Sequence, residues 1–454
     1  MEYKKPSEEF KDMGFGDKRI DRRMEKSVEM MSKKSEESIL SSCITRHDAK
    51  GFYAMLGNDK FSFEQVSDRS RKETIKRIIE SGVSEVLLPQ DTTNVNMNGH
   101  KKTEGLGYCS EYTKGVQVHS CLALMPDGTN LGLVAQQYGT REQAKQEESK
   151  EDRKKRTIED KESYRWLETV REAKEAMPEN VRGIIICDRE GDFYELYADM
   201  LTLETMFIVR MSQDRAMTED MRAMQQIRRT QACGEVEMTI PRDTRANTKA
   251  RTAKMEVAYC TVAVAKPKRV RADVPKQLVL TLVRVTEIVE SGEGIEWLLV
   301  TNMPVESPEE AMKIVEYYAH RWKIERFHYI LKSGCQVEKI QQRTYDRILP
   351  VLLIYSVIAA FILAVTYFAR SMPDAPCDLF LADDEWKILY RLVTRDPNPP
   401  AKPYSIKTAV DFLGELGSFK HAPSDGDYGV KSVWKGLLKL FDALDFLARL
   451  TGQV

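Results

Sequence analysis

The sequence predicts an α/β protein: a mixed-sheet core carrying an inserted antiparallel β block, flanked by helical N- and C-terminal segments. Three observations predict it. The apolar runs SEVLLPQD and RGIIICD stop abruptly at an acidic residue, as buried strands do when they reach a cleft. Residues 233–300 hold four alternating runs, GEVEMTI, KMEVAYCTVAV, QLVLTLVRVTEIV and EWLLVTNMP, with the period of an antiparallel sheet. The two ends of the chain have helical spacing instead.

Residues 1–75 are polar and helical in pattern. Lys18, Arg19, Arg22 and Arg23 flank a weak apolar stripe, and Phe52, Tyr53, Phe61 and Phe63 lie close to Lys50 and Lys60. Basic and aromatic residues interleaved in a small helical unit suit phosphate contacts plus packing. The alternative is a solvated helical domain with its own small core. Strands follow from residue 83. VQVHSCLALMPDGTNLGLVAQQYG reads as two strands joined by the turn Pro126-Asp127-Gly128. A charge-rich loop, REQAKQEESKEDRKKRTIEDKESYRW, leads into a helix, and TMFIVRMS is a further strand. The β insertion spans about 225–303.

SPEEAMKIVEYYAHRWKIERFHYILKSG reads as one long helix. Ser307 caps it, Pro308 stands at its first position, Glu310 completes a capping box, and Gly334 ends it. From Ile348 to Ala369 no residue is charged, a stretch long enough to span a bilayer. The highly charged segments on both sides favour a helix buried in a large domain. Residues 371–403 read as a Pro-rich connector ending DPNPPAKP. The tail is an amphipathic helix with Trp434, Leu437, Leu438, Phe441, Leu444 and Ala448 on one stripe. That stripe either finishes the core or pairs with a second subunit.

A chain of 454 residues exceeds one ordinary core, so two or three domains are expected. Its 42% apolar and 31% charged residues describe a soluble globular protein. The net charge of −1 gives no hint of nucleic acid, although 69 Lys and Arg suffice for basic faces beside acidic ones. The 8 Cys form neither a CxxC pair nor a zinc-spaced Cys/His cluster, and read as free thiols of a reducing compartment. MEYKKPSEEF has no apolar core and is not a secretory signal.

The chemistry lies in Asp91, Asp188 and the long helix. A carboxylate at a strand end suits a hard divalent cation, although Asp also simply begins turns. At about 100° per residue, Tyr318, Arg321, Glu325 and Lys332 fall within about 60° of one another. A surface salt-bridge ladder needs neither the Tyr nor two upstream Asp. Two Asp and one Glu can bridge two Mg²⁺ (or Mn²⁺) ions about 4 Å apart and so promote phosphodiester chemistry. Arg, Lys and Tyr would hold the neighbouring phosphates.

The spacing Y-x2-R-x3-E-x6-K resembles the signature of the insertion-sequence-4 family of bacterial transposases. Asp91 in DTT, Asp188 in DREGD and Glu325 match that family's DDE triad. The resemblance covers almost the whole chain. It implies a ribonuclease-H-like core over 76–370, a transposon-end DNA-binding domain over 1–75 and a helical dimerisation region over 371–454. It implies Asp91, Asp188 and Glu325 as catalytic residues and ligands of two Mg²⁺ or Mn²⁺ per active site. It implies Tyr318, Arg321, Lys332, Arg210, Lys161 and Arg165 as phosphate contacts, Trp297 as a stacking platform for a flipped base, and Lys18, Arg19, Arg22 and Arg23 as N-terminal DNA contacts. Core packing of the β insertion is the alternative for Trp297. Tyr329 stands where some close relatives carry an additional Lys.

The implied activity is cut-and-paste transposition by a synaptic homodimer acting on double-stranded DNA, the transposon's terminal inverted repeats and the target. Cleavage is expected through a DNA hairpin, in the bacterial cytoplasm at the nucleoid, with no membrane and no small-molecule substrate. The rival reading is a non-catalytic DNA-binding regulator derived from a transposase, and loss of a triad residue would have favoured it. A membrane-anchored protein built on residues 348–369 is a more distant one.

Overall fold

The computed structural model describes residues 3–141, 157–159, 161–217, 221–240, 251–270, 273–290, 294–417 and 427–452. The charge-rich loop expected before the KESYRW helix falls largely at 142–156, outside the described residues. In chain order the principal elements are α1 (Lys18–Lys33), α2 (Arg46–Met55), α3 (Phe63–Ser81), β1 (Glu85–Asn96), β2 (Gly115–Leu124), β3 (Asn130–Gly139), α4 (Tyr164–Ala176), β4 (Arg182–Cys187), α5 (Tyr194–Thr202), β5 (Met206–Arg210), α6 (Ala223–Arg229), β6 (Gly234–Ile240), β7 (Arg251–Ala265), β8 (Gln277–Glu287) and β9 (Glu296–Thr301). The helices α7 (Pro308–Ala319), α8 (Trp322–Tyr329), α9 (Tyr345–Ser371), α10 (Asp383–Thr394), α11 (Ile406–Gly417) and α12 (Val430–Thr451) complete them. The strand order is β3-β2-β1-β4-β5-β9-β8-β7-β6, a mixed sheet with helices, as an α/β chain requires.

Two compact units share the chain, each assembled from more than one stretch of sequence. The first takes Met1–Val83, Thr92–Lys145 and Lys323–Val454; the second takes Ser84–Asp91 and Gln146–Trp322. Strand β1 runs through both.

In the first unit, β2 and β3 form the expected antiparallel hairpin. Gly128 takes a φ of 83° at its turn, and the Asp127 carboxylate accepts from the Thr129 amide at 2.8 Å. The uncharged helix α9 is a core helix: 94% of its most apolar window is buried. Asn130 Nδ2 donates to the Ala360 carbonyl at 2.8 Å and Gln136 Nε2 to Ser356 Oγ at 3.1 Å, tying β3 to it. Helix α1 buries Ile20, Met24, Val28 and Met31, the weak stripe seen in the sequence. The stretch 371–403 is more than a connector: α10 lies within it and buries Glu385, Trp386 and Leu389. Its short amphipathic pattern is overshadowed by the prolines that follow.

In the second unit, β1, β4 and β5 are parallel neighbours. The strands β6–β9 are antiparallel, as their alternation predicts, but they are no separate block. Strand β9 pairs antiparallel with β5, so the insertion continues the same sheet.

The long helix expected over 307–334 is broken. Ser307 caps α7 with its capping box as predicted, yet α7 ends at Ala319. There the His320 amide donates to the Tyr317 carbonyl at 3.2 Å and the Arg321 amide to the Tyr318 carbonyl at 2.9 Å, three-residue contacts that overwind the turn. Helix α8 restarts at Trp322 and passes into a π turn over Ile330–Gly334, closed by the Cys335 amide on the Ile330 carbonyl at 2.9 Å. A uniform 100° per residue therefore does not describe the path from Tyr318 to Lys332.

Candidate functional site

Strand register places the two aspartates. Pro89 of β1 pairs with Ile186 of β4, in parallel. One residue further, Gln90 Nε2 donates to Cys187 Sγ at 3.3 Å, both buried on one face. One residue further again stand Asp91 and Asp188, on the opposite face by strand alternation. Adjacent strands lie about 4.8 Å apart, so two carboxylates in matched register are neighbours. Asp188 keeps an extended backbone and caps the short turn Arg189–Gly191, its Oδ1 accepting from the Glu190 amide at 2.8 Å. Burial and the charge of Asp188 raise the Glu190 carboxyl, and Arg165, whose guanidinium stands 4.0 Å away, lowers it.

Tyr318 ends α7 in the same unit with 1% of its surface exposed. Burial raises its pKa, and Arg321 and Arg210 stand near enough to oppose that rise. Burial in turn lowers Arg210, which Arg189 and Arg321 also disfavour as a cation. Arg321 and Arg210 thus flank one buried phenol, with Arg189 near Arg210, a concentration of positive charge suited to phosphate. Trp297 of β9 is 7% exposed and meets Tyr318 edge-on, with centroids 5.2 Å apart. In this structure it packs as a core residue.

Glu325 and Lys332 belong to the first unit. Lys332 lies in the π turn and donates to the Asn94 carbonyl, three residues after Asp91, at 2.9 Å, with Glu338 3.6 Å away. Among the described residues no three His, Cys, Asp or Glu side chains are grouped closely enough to hold a metal ion. The pair Asp91 and Asp188 fits a hard divalent cation, because it offers carboxylate oxygens while the Cys187 thiol engages Gln90 on the other face.

The chain resembles known proteins over most of these elements. A family model described as the transposase DDE domain matches residues 91–361, beginning at Asp91 itself. The chain belongs to the DDE transposase family. A second model, transposase DNA-binding, matches residues 6–61, within the segment expected to bind DNA. A solved structure, the cryo-EM piggyBac transposase synaptic complex with hairpin DNA, is similar at 10% identity and a TM-score of 0.32, covering 93% of this chain and 82% of that one. That likeness is too remote to inform any residue.

The DDE domain also uses residues that the sequence did not single out. Asp192, the last residue of DREGD, is buried and accepts from Tyr197 OH at 2.5 Å and from the amides of Ser212 and Gln213 at 2.5 and 2.9 Å. It also pairs with Arg215. Burial opposes its ionisation, but Arg215, Tyr197 and the Ser212 amide prevail and hold its carboxyl below the ordinary range. Asp192 was visible in the motif; Arg215 carried no signal. In the first unit, Lys323 donates to the Gly128 carbonyl and lies over the Tyr367 ring at 4.6 Å, seating the start of α8 on the β2–β3 turn. Burial pushes its ammonium down to about 8.

In the DNA-binding segment of this DDE transposase family member, Lys18, Arg19 and Arg22 are exposed on α1. Arg19 reaches Asp17 with two nitrogens, at 3.2 and 2.9 Å. Arg23 lies against Gly51 and within 3.7 Å of Asp48, so it serves the segment's own packing. Lys161 stands 3.8 Å from Glu195.

Proposed function

We propose that the chain is a cut-and-paste transposase of the insertion-sequence-4 type, working as a synaptic dimer on its transposon ends. The matched register of Asp91 and Asp188 carries this reading. A pair of carboxylates just beyond the parallel pairing of β1 with β4, with Arg189, Arg210, Arg321 and a buried phenol in the same unit, suits phosphodiester chemistry better than a turn. The hairpin β2–β3 beside the parallel strands β1, β4 and β5 supports a ribonuclease-H-like core.

Asp91, Asp188 and Glu325 would hold two Mg²⁺ or Mn²⁺. Bound there, the cations supply activation of the attacking oxygen and stabilisation of the leaving one. The chain's own residues orient and neutralise. Tyr318, Arg321, Arg210 and Lys332 grip the phosphates beside the scissile bond, with Lys161 and Arg165 further along the strand. Water cleaves one strand, and the freed 3′-hydroxyl attacks the opposite strand to give a hairpin. The hairpin is reopened and the end joined to target DNA. Exposed Phe446 and Leu450 on α12, at 62% and 68%, support a dimer contact through the C-terminal helix. In the dimer, Trp297 would have to leave Tyr318 to stack on a flipped base.

The test is strand nicking, in Mg²⁺, of a duplex bearing the inverted repeats that flank the reading frame. Glu325→Ala is expected to bind that duplex and leave it uncut. Cleavage by that variant at the wild-type rate would overturn the reading.

A further inference from the structure

The β7–β8 connection, residues 266–276, presents the exposed cations Lys268, Arg269 and Lys276 against a single exposed acid, Asp273, among its described residues. None of the three cations forms an ion pair among the described residues, whereas Arg228, Arg251 and Lys254 of the same unit are each paired with a glutamate. An unpaired run on a floppy loop would be an ordinary solvated surface. This loop is braced. The Lys266 amide donates to the Lys276 carbonyl at 2.8 Å, and the Val270 amide to the Pro267 carbonyl at 2.9 Å.

The braces reach the segment that follows Asp188. Tyr194 OH donates to the Pro275 carbonyl at 2.8 Å. Arg269 donates to Gln213 Oε1 at 2.6 Å, and the Gln213 amide is itself held by Asp192. The Ala265 amide donates to the Ala216 carbonyl at 2.9 Å. All these residues lie in the unit that carries Asp91 and Asp188. Cations carried on a braced backbone, in the same unit as the carboxylate pair, match a ligand with regularly spaced negative charge.

We propose that Lys268, Arg269 and Lys276 form a second DNA-contact surface, separate from the N-terminal domain, that grips the phosphate backbone of the flanking duplex beside the scissile bond. The surface rests on the transposase reading, because that reading brings the cut DNA to Asp188. It commits to the DNA being cut and not to the target, since its braces lead to Asp192 and Tyr194, four and six residues beyond Asp188. Contacts of this kind position DNA without reading its sequence.

The experiment measures binding of full-length Glu325→Ala protein to the inverted-repeat duplex over a range of salt concentrations. The duplex is used with and without flanking sequence. The triple variant K268A/R269A/K276A on that background is expected to lower the salt slope by roughly 2–3 on the flanked duplex, at roughly 0.9 for each phosphate left without its cation. The slope on the repeat alone should not change. The charge-keeping variant K268R/R269K/K276R should restore the slope, which separates charge from folding. An unchanged slope on the flanked duplex overturns the proposal. So does a loss confined to an unrelated target duplex, which would assign the surface to target capture. Failure of the parent protein to prefer the repeat over random DNA would instead refute the transposase reading.

Discussion

Asp192 and Arg215 form a buried ion pair four residues beyond Asp188, and the same carboxylate holds the amides of Ser212 and Gln213. Removing one partner strands a charge in the interior. Arg215→Met is therefore expected to destabilise the chain by about 3–5 kcal/mol in urea denaturation. A loss below about 1 kcal/mol would mean that water already satisfies Asp192. Its depressed pKa adds a pH signature. The stabilisation is complete above the ordinary aspartate range and is lost as pH falls through the lower folded value.

Tyr318→Phe should separate stability from function. The hydroxyl is buried beside Arg321 and Arg210, so its removal is expected to change stability by no more than about 1 kcal/mol. Cleavage should fall by roughly 10- to 100-fold if the hydroxyl meets a phosphate in the complex, the value of one charge-assisted hydrogen bond. Unchanged single-turnover cleavage would remove Tyr318 from the phosphate set.

Asp91→Asn and Asp188→Asn are each expected to lower the nicking rate by on the order of 10³-fold or more, because each removes an anionic oxygen ligand. DNA binding, measured by anisotropy, should persist. Glu190→Gln is the control: it lies beside Asp188 but on the exposed side of the turn, and should retain most activity. Equal losses in all three would show general charge dependence instead of a register-matched pair.

His328 predicts a second pH effect. Burial, with help from Lys332, lowers its pKa from 6.5 to about 3. The folded state keeps the ring neutral, so this stabilisation is complete above pH 6.5 and drains as pH falls toward 3. Between pH 7.5 and 5 the loss should be about 2 kcal/mol, at about 1.4 kcal/mol per pH unit below 6.5. His328→Gln should flatten that dependence. A urea midpoint that tracks the wild type across this range would disprove the attribution.

Gly436→Ala tests the packing of α11 on α12. A Cβ at Gly436 would lie 1.9 Å from the Leu413 carbonyl oxygen, so backbone must move. The expected cost is about 1–3 kcal/mol by thermal or urea unfolding. A variant as stable as the parent would show that the two helices can part without penalty.

Much of this protein is legible in its sequence because the signals are local. The end of β4 at Asp188, the alternation of β6–β9, the cap at Ser307 and the uncharged run of α9 each depend on neighbours in the chain, whereas β1 continues past Asp91 to Asn96. The break after Ala319 escaped, because nothing in YYAHRW forbids a continuous helix and the three-residue contacts at His320 and Arg321 come from packing around them. Helix α10 escaped because proline signals nearby dominated a short amphipathic run. The family to which the chain belongs was legible as a resemblance carried by short motifs, Asp188 in DREGD and Glu325 in the helix that follows Tyr318. Only the folded chain decided that β1 and β4 pair in parallel up to Pro89 and Ile186, two residues before the aspartates, that Arg215 joins Asp192, and that the β insertion extends the core sheet through β5. Those are pairings between residues far apart in sequence, and strand register and buried charge are set by contacts that no local window contains.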